Sequence, residues 1–108
     1  MTHPELNQQP FARKIKVTFQ ASGRGSVNVY AVRYNDTRDG KAKYGYRRKF
    51  LSTQLFYQAA LQENRKVYSC EYTINPDEWI ALRFIVSGSK ASCLCLDDVA
   101  VSMMDNKN

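Results

Sequence analysis

Apolar and polar residues alternate with a period of two along most of the chain, and no long segment carries a 3.6-residue stripe. Ile15, Val17, Phe19 and Ala21 alternate with Lys14, Lys16, Thr18 and Gln20, which is the pattern of a half-buried strand. Gly23 and Gly25 mark a tight turn. A second strand over Ser26–Tyr34 then puts Val27, Val29 and Ala31 on one face and Tyr30, Val32 and Tyr34 on the other. These two strands are expected to form a hairpin. Asn35 to Lys43 has the composition of a loop, Tyr44 to Lys49 reads as a short edge strand, and Phe50 to Tyr57 as a third main strand. Gln58 to Glu63 suggests a helical turn too short to stand alone. Arg65 to Ile74 alternates again, with Tyr68, Cys70, Tyr72 and Ile74 on one side, and Asn75-Pro76-Asp77-Glu78 is a turn. Trp79 to Ser87 aligns Ile80, Leu82, Phe84 and Val86, and the last strand is expected over Ser92–Met103.

Strands of this length, separated by turns and without helices between them, predict one antiparallel two-sheet β-sandwich. Its expected core is Ile15, Val17, Phe19, Val27, Val29, Leu82, Phe84, Leu94 and Leu96. The sandwich would span residues 13–104, after a polar lead-in over 1–12 that is expected to be loose and before a short polar tail over 105–108. With 108 residues and 44% hydrophobic composition, the chain is sized for a single domain with a core of its own. No segment approaches the roughly 20 apolar residues that span a bilayer, and Met1 to Pro10 has no apolar segment of the kind a secretory signal needs. Cys93 and Cys95 fall on one strand face, where a disulfide between them would be strained, so they read as small buried hydrophobes. With Cys70 they still lack a fourth ligand for zinc.

The C-terminal half, Tyr72-Thr73-Ile74-Asn75-Pro76-Asp77-Glu78-Trp79-Ile80-Ala81-Leu82-Arg83-Phe84 followed by Leu94-Cys95-Leu96-Asp97-Asp98-Val99-Ala100-Val101, resembles the closing strands of galactose-binding-like, carbohydrate-binding jelly-roll modules. Lys16 to Val27 is similar to the early strand, Gly-x-Gly turn and second strand of the same modules, so the resemblance covers residues 14 to 103. It implies a jelly-roll sandwich and an accessory role in a larger secreted or cell-surface protein, which places it outside the cell or in the periplasm. Two departures stand out. The opening strand that pairs with the Asp-Asp-Val strand in such modules is absent or replaced by the lead-in, and the only Trp is Trp79, in a different strand from the one expected. In such modules the acidic residue of this motif can help hold a structural calcium, but Asp97 and Asp98, as two adjacent donors, are not a site by themselves, and no metal is expected. Their ordinary use is to accept backbone N–H bonds at a strand end.

Catalytic chemistry is disfavoured by the residues themselves. The sole histidine is His3, in the lead-in, and Asp97 and Asp98 are adjacent on a strand, so they cannot face each other across a glycosidic bond. A binding module is therefore expected. Sugars stack their C–H faces on flat rings and need planar polar partners for their hydroxyls. Tyr44 and Tyr46, with Arg47 and Arg48 beside them and Tyr34 and Tyr30 on one strand face, are the candidate ligand-binding residues; Trp79 is expected in the core. The ligand would be a polysaccharide or glycan. The excess of 16 Lys and Arg over 10 Asp and Glu also admits an anionic one. The same basic, aromatic stretch, Arg38 to Lys49, suits single-stranded nucleic acid as an alternative, and a structural or protein-interaction role is another. The apolar edge of the last strand points to a partner, either a second copy in a homodimer or a neighbouring domain.

Overall fold

The computed structural model describes residues 6–38, 46–88 and 94–104. They form six strands: β1 (Arg13–Ser22), β2 (Gly25–Arg38), β3 (Tyr46–Ala60), β4 (Lys66–Ile74), β5 (Trp79–Gly88) and β6 (Cys95–Met103). These make two antiparallel three-stranded sheets, ordered β4-β1-β6 and β3-β2-β5. The protein is an all-β, antiparallel two-sheet sandwich.

The alternation in β1 is obeyed without a slip. Ile15, Val17, Phe19 and Ala21 are at most 1% exposed, while Lys14 and Lys16 face solvent. Val27, Val29 and Ala31 of β2 are wholly buried in the same way. Because β1 and β2 both turn apolar faces inward, they oppose each other across the core, and the expected hairpin between them does not form. β1 pairs instead with β4 and β6, and β2 with β3 and β5. Gly23, at φ 127°, supplies the corner that carries the chain from one sheet to the other. At the start of β2, Gly25 lies against Gly88 so closely that a Cβ on Gly25 would sit 2.1 Å from the Ser87 carbonyl oxygen.

Three further expectations change. Asn35 to Arg38 continue β2 rather than beginning a loop, because Asn35 and Asp36 pair with Lys49 and Arg48. Tyr46 to Ala60 is one strand, not two, and the expected helical turn is absent, since Ala59 and Ala60 pair with Val27 and Ser26. Register shifts near Leu51 and Phe56 are bulges, which explain why this stretch alternates only loosely. Leu82, Phe84, Leu94 and Leu96 pack against the core but are half-buried. They belong to, or adjoin, the edge strands β5 and β6. Among the described residues no strand pairs with the outer edge of either.

Aromatic rings hold the sheets together. Phe19 stacks on Tyr68 within its own sheet at 5.4 Å and meets Tyr57 and Phe84 of the opposite sheet edge-on, at 6.3 and 5.4 Å. Phe56 packs on Tyr72 at 4.8 Å. Beside them lies Cys70, a buried free thiol that burial pushes up to about 11 from 9.0. Burial likewise raises the hydroxyls of Tyr57 and Tyr72. A buried acid with a raised pKa favours folding fully below its unfolded value and loses that contribution as pH rises towards the folded value. The contribution of Cys70 is therefore expected to be flat below about pH 9 and to fall by about 2 kcal/mol by about pH 10.5. Urea denaturation at the two pH values checks this, and Cys70→Ala should remove that share of the drop. Cys95 departs from expectation. It lies opposite Ser22, out of phase with the buried Ala21 and its partner Leu96, half-buried with its sulfur 3.9 Å from Arg65 Nη2. Cys93 lies outside the described residues.

The lead-in is not loose where it is described. Leu6 is buried in the core, and Arg13, 4% exposed, donates to the carbonyls of Asn7 (2.6 Å), Phe11 (3.3 Å) and Glu78 (3.3 Å). Burial lowers the Arg13 pKa from its usual value. Gln9 accepts a hydrogen bond from the Asp77 N–H at 2.7 Å. Residues 6–12 thus close one end of the sandwich.

Candidate functional site

The two outer faces differ in kind. On the β4-β1-β6 sheet the outward positions are Lys14, Lys16, Thr18 and Gln20 of β1, with Thr73, Glu71, Ser69 and the exposed Val67 of β4 opposite, a mostly polar surface. On the β3-β2-β5 sheet the outward register brings together Tyr30, Val32, Tyr34, Phe50, Leu55, Trp79, Ala81 and Ile85, with Arg83 and Arg48 among them. Phe50 is 56% exposed and Leu55 46%. Contiguous exposed apolar surface on one face of a small domain marks an interaction site.

Across this face runs a row of rings. Tyr34 pairs directly with Phe50 on one side and Trp79 on the other. Its ring stacks on Trp79 at 4.3 Å and 17°, and meets Phe50 edge-on at 6.0 Å and 70°. Such cross-strand pairs follow from register alone, since directly opposite residues project from the same face. The Arg48 guanidinium lies 4.9 Å from the Trp79 ring centre and 5.7 Å from that of Tyr34.

Local chemistry fixes the ring pair at the end of the β2–β5 ladder. Trp79 follows a turn in which Glu78 N–H donates to Asn75 C=O at 3.3 Å, with Pro76 second and Asp77 third at φ 62°. Proline followed by a left-handed residue is the type II arrangement. Arg33, just before Tyr34, donates to both carboxylate oxygens of Glu78, just before Trp79, at 3.0 and 2.7 Å, and to Ser52 Oγ at 2.9 Å. That bonding raises the Arg33 pKa. The lead-in joins the same end: Gln8 Oε1 accepts the Asp36 N–H at 2.8 Å while Gln8 Nε2 donates to the Asp36 carbonyl at 3.2 Å. Asn7, Gln8, Asp36, Arg48 and Trp79 line a pocket of about 270 Å³ beside the rings.

Of the residues expected from sequence, Tyr34 and Arg48 meet here. Tyr30 shares their face but sits apart from the ring row, its hydroxyl 3.4 Å from Asn28 Nδ2. Tyr46 and Arg47 lie in β3 opposite Arg38 and Thr37, and Tyr44 is outside the described residues. Trp79, expected in the core, is on this outer face instead. Ile80, Leu82, Phe84 and Val86 point inward, which leaves Trp79 out of phase with them. Phe50, Asp36 and Gln8 were not anticipated. The acidic pair does not fit calcium. Asp97 Oδ1 accepts the Asp98 N–H at 2.8 Å, Asp97 Oδ2 is 3.8 Å from Arg65, and Asp98 sits in a bulge at φ 52°. Among the described residues no three His, Cys, Asp or Glu side chains gather where an ion would be held. No protein-family model matches this chain, no curated protein matches it and no solved structure matches it, so its own residues are what bear on function.

Proposed function

We propose that this chain is a non-catalytic carbohydrate-binding module that uses the outer face of the β3-β2-β5 sheet. The observation that carries the reading is the Phe50–Tyr34–Trp79 row beside hydrogen-bonding groups on Asp36 and Gln8. Flat rings take the C–H faces of a sugar, and the polar groups at the end of the row take its hydroxyls. The resemblance of residues 14 to 103 to jelly-roll sugar-binding modules supports the same reading and adds an accessory place in a larger secreted or cell-surface protein.

A glycan array tests it. Wild-type protein is expected to bind a subset of glycans, and Trp79→Ala or Tyr34→Ala to lower affinity by roughly 30-fold, the effect of an aromatic hot spot worth about 2 kcal/mol. Tyr30→Ala should cost less, since its ring lies outside the row. Thermal melts of each variant separate lost binding from lost fold. Failure to bind any glycan, neutral or anionic, sinks the reading. Binding of single-stranded nucleic acid with affinity falling at a slope of about −0.7 per phosphate contact in log salt would replace it.

A further inference from the structure

Two buried, unpartnered atoms on residues that line the pocket with Arg48 bear on which sugars it takes. Asp36 Oδ1 and Trp79 Nε1 are buried and make no hydrogen bond among the described residues, and both residues line the same pocket. One is an acceptor only and the other a donor only. A hydroxyl both donates and accepts, so it satisfies such a pair. A carboxylate or sulfate group has no proton to offer Asp36 and would be repelled by its charge. At about 270 Å³ the pocket falls just below the roughly 300 to 1,000 Å³ that holds drug-sized ligands, which suits one ring rather than a chain. Arg48 lies over the rings at its mouth, but it is an exposed residue on a long, flexible stem, and its guanidinium moves aside without disturbing the sheet.

Resting on the carbohydrate reading above, we propose that this pocket is the subsite for a single neutral sugar ring, bound by Asp36 and the Trp79 indole N–H, with Arg48 as a side-chain cover that the sugar displaces. Gln8, held on Asp36 through its backbone, makes the lead-in one wall of the subsite.

Titration calorimetry with neutral gluco-, galacto-, manno- and xylo-oligosaccharides, beside uronate and sulfated counterparts, tests the proposal. Neutral sugars are expected to bind with little dependence on salt. Trp79→Phe keeps a ring and removes the N–H, and Asp36→Ala removes the acceptor; each should weaken neutral-sugar binding about tenfold or more. Arg48→Gln should leave that affinity unchanged or raise it. Tighter binding of uronate or sulfated sugars, with Arg48→Gln abolishing it, overturns the proposal and leaves the carbohydrate reading standing. Unchanged neutral-sugar affinity in Trp79→Phe and Asp36→Ala also overturns it. If no sugar of either charge binds, the carbohydrate reading falls and this subsite with it.

Discussion

Phe19→Ala is expected to lower the unfolding free energy by about 4 kcal/mol, from a total of about 5 to 15 kcal/mol for a domain of this size. Phe19 is 1% exposed and touches rings of both sheets: Tyr68 beside it, Tyr57 and Phe84 across the core. Truncation removes its own transfer free energy, leaves a cavity between two sheets that cannot collapse without moving backbone, and ends three ring contacts worth about 0.5 to 1.5 kcal/mol each beyond area. The sheets share no strand, so their packed core side chains, Phe19 and its ring partners among them, carry most of the contact between them. A melting temperature lower by roughly 15 to 30 °C is expected. Phe19→Leu, which keeps part of the apolar volume but loses the ring contacts, should cost less than Phe19→Ala. If Phe19→Ala changes stability by less than about 1 kcal/mol in urea, the two sheets do not pack around this residue as described.

Most of that core was legible in the sequence because a strand buried on one face writes its phase into every second residue. Ile15 to Ala21, Val27 to Ala31 and Tyr68 to Ile74 all keep it. Phase tells which side chains point inward and not which strands are neighbours. The apolar faces of β1 and β2 therefore suited a hairpin and opposed sheets equally, and the Gly23 turn serves either. The hydrophobicity of its strand argues for a buried Trp79, whereas the phase of Ile80 to Val86 puts it on the outer face, and phase prevails. The end of the site was harder to read. Asn35 and Asp36 have turn chemistry, yet pairing with Lys49 and Arg48 holds them in a strand, an instance of tertiary context overriding propensity. The lead-in has no period at all. Its place is set by single contacts, Leu6 in the core, Gln8 on Asp36 and Arg13 on three carbonyls, which leave no pattern in a sequence.

Glu78→Ala is expected to cost about 3 kcal/mol and to disorder the ring pair before the rest of the fold. Glu78 and Arg33 are largely buried side chains, 13% and 23% exposed, joined by two short hydrogen bonds. Removing the carboxylate leaves a guanidinium in poor solvent with Ser52 as its remaining side-chain partner among those described, and an uncompensated buried charge costs more than the intact pair is worth. Replacing both residues, Arg33→Met with Glu78→Leu, should recover most of the loss, because two apolar side chains of similar volume need no desolvation of charge. The cost is local for a topological reason. The β2–β5 ladder ends at Tyr34 and Trp79, so no backbone pairing beyond the rings ties β5 to β2, although β2 stays paired with β3 through Arg38. Their alignment depends on the Arg33–Glu78 pair and on Asn35, which donates to the Asp77 carbonyl. Near-ultraviolet dichroism from Trp79 should therefore fade at lower urea than the far-ultraviolet signal in Glu78→Ala, and at the same concentration in wild type. A double-mutant cycle of wild type, Arg33→Met, Glu78→Leu and the double variant gives the coupling. A coupling below about 0.5 kcal/mol would mean that the ion pair is ornamental and that the ring row is held by sheet packing alone.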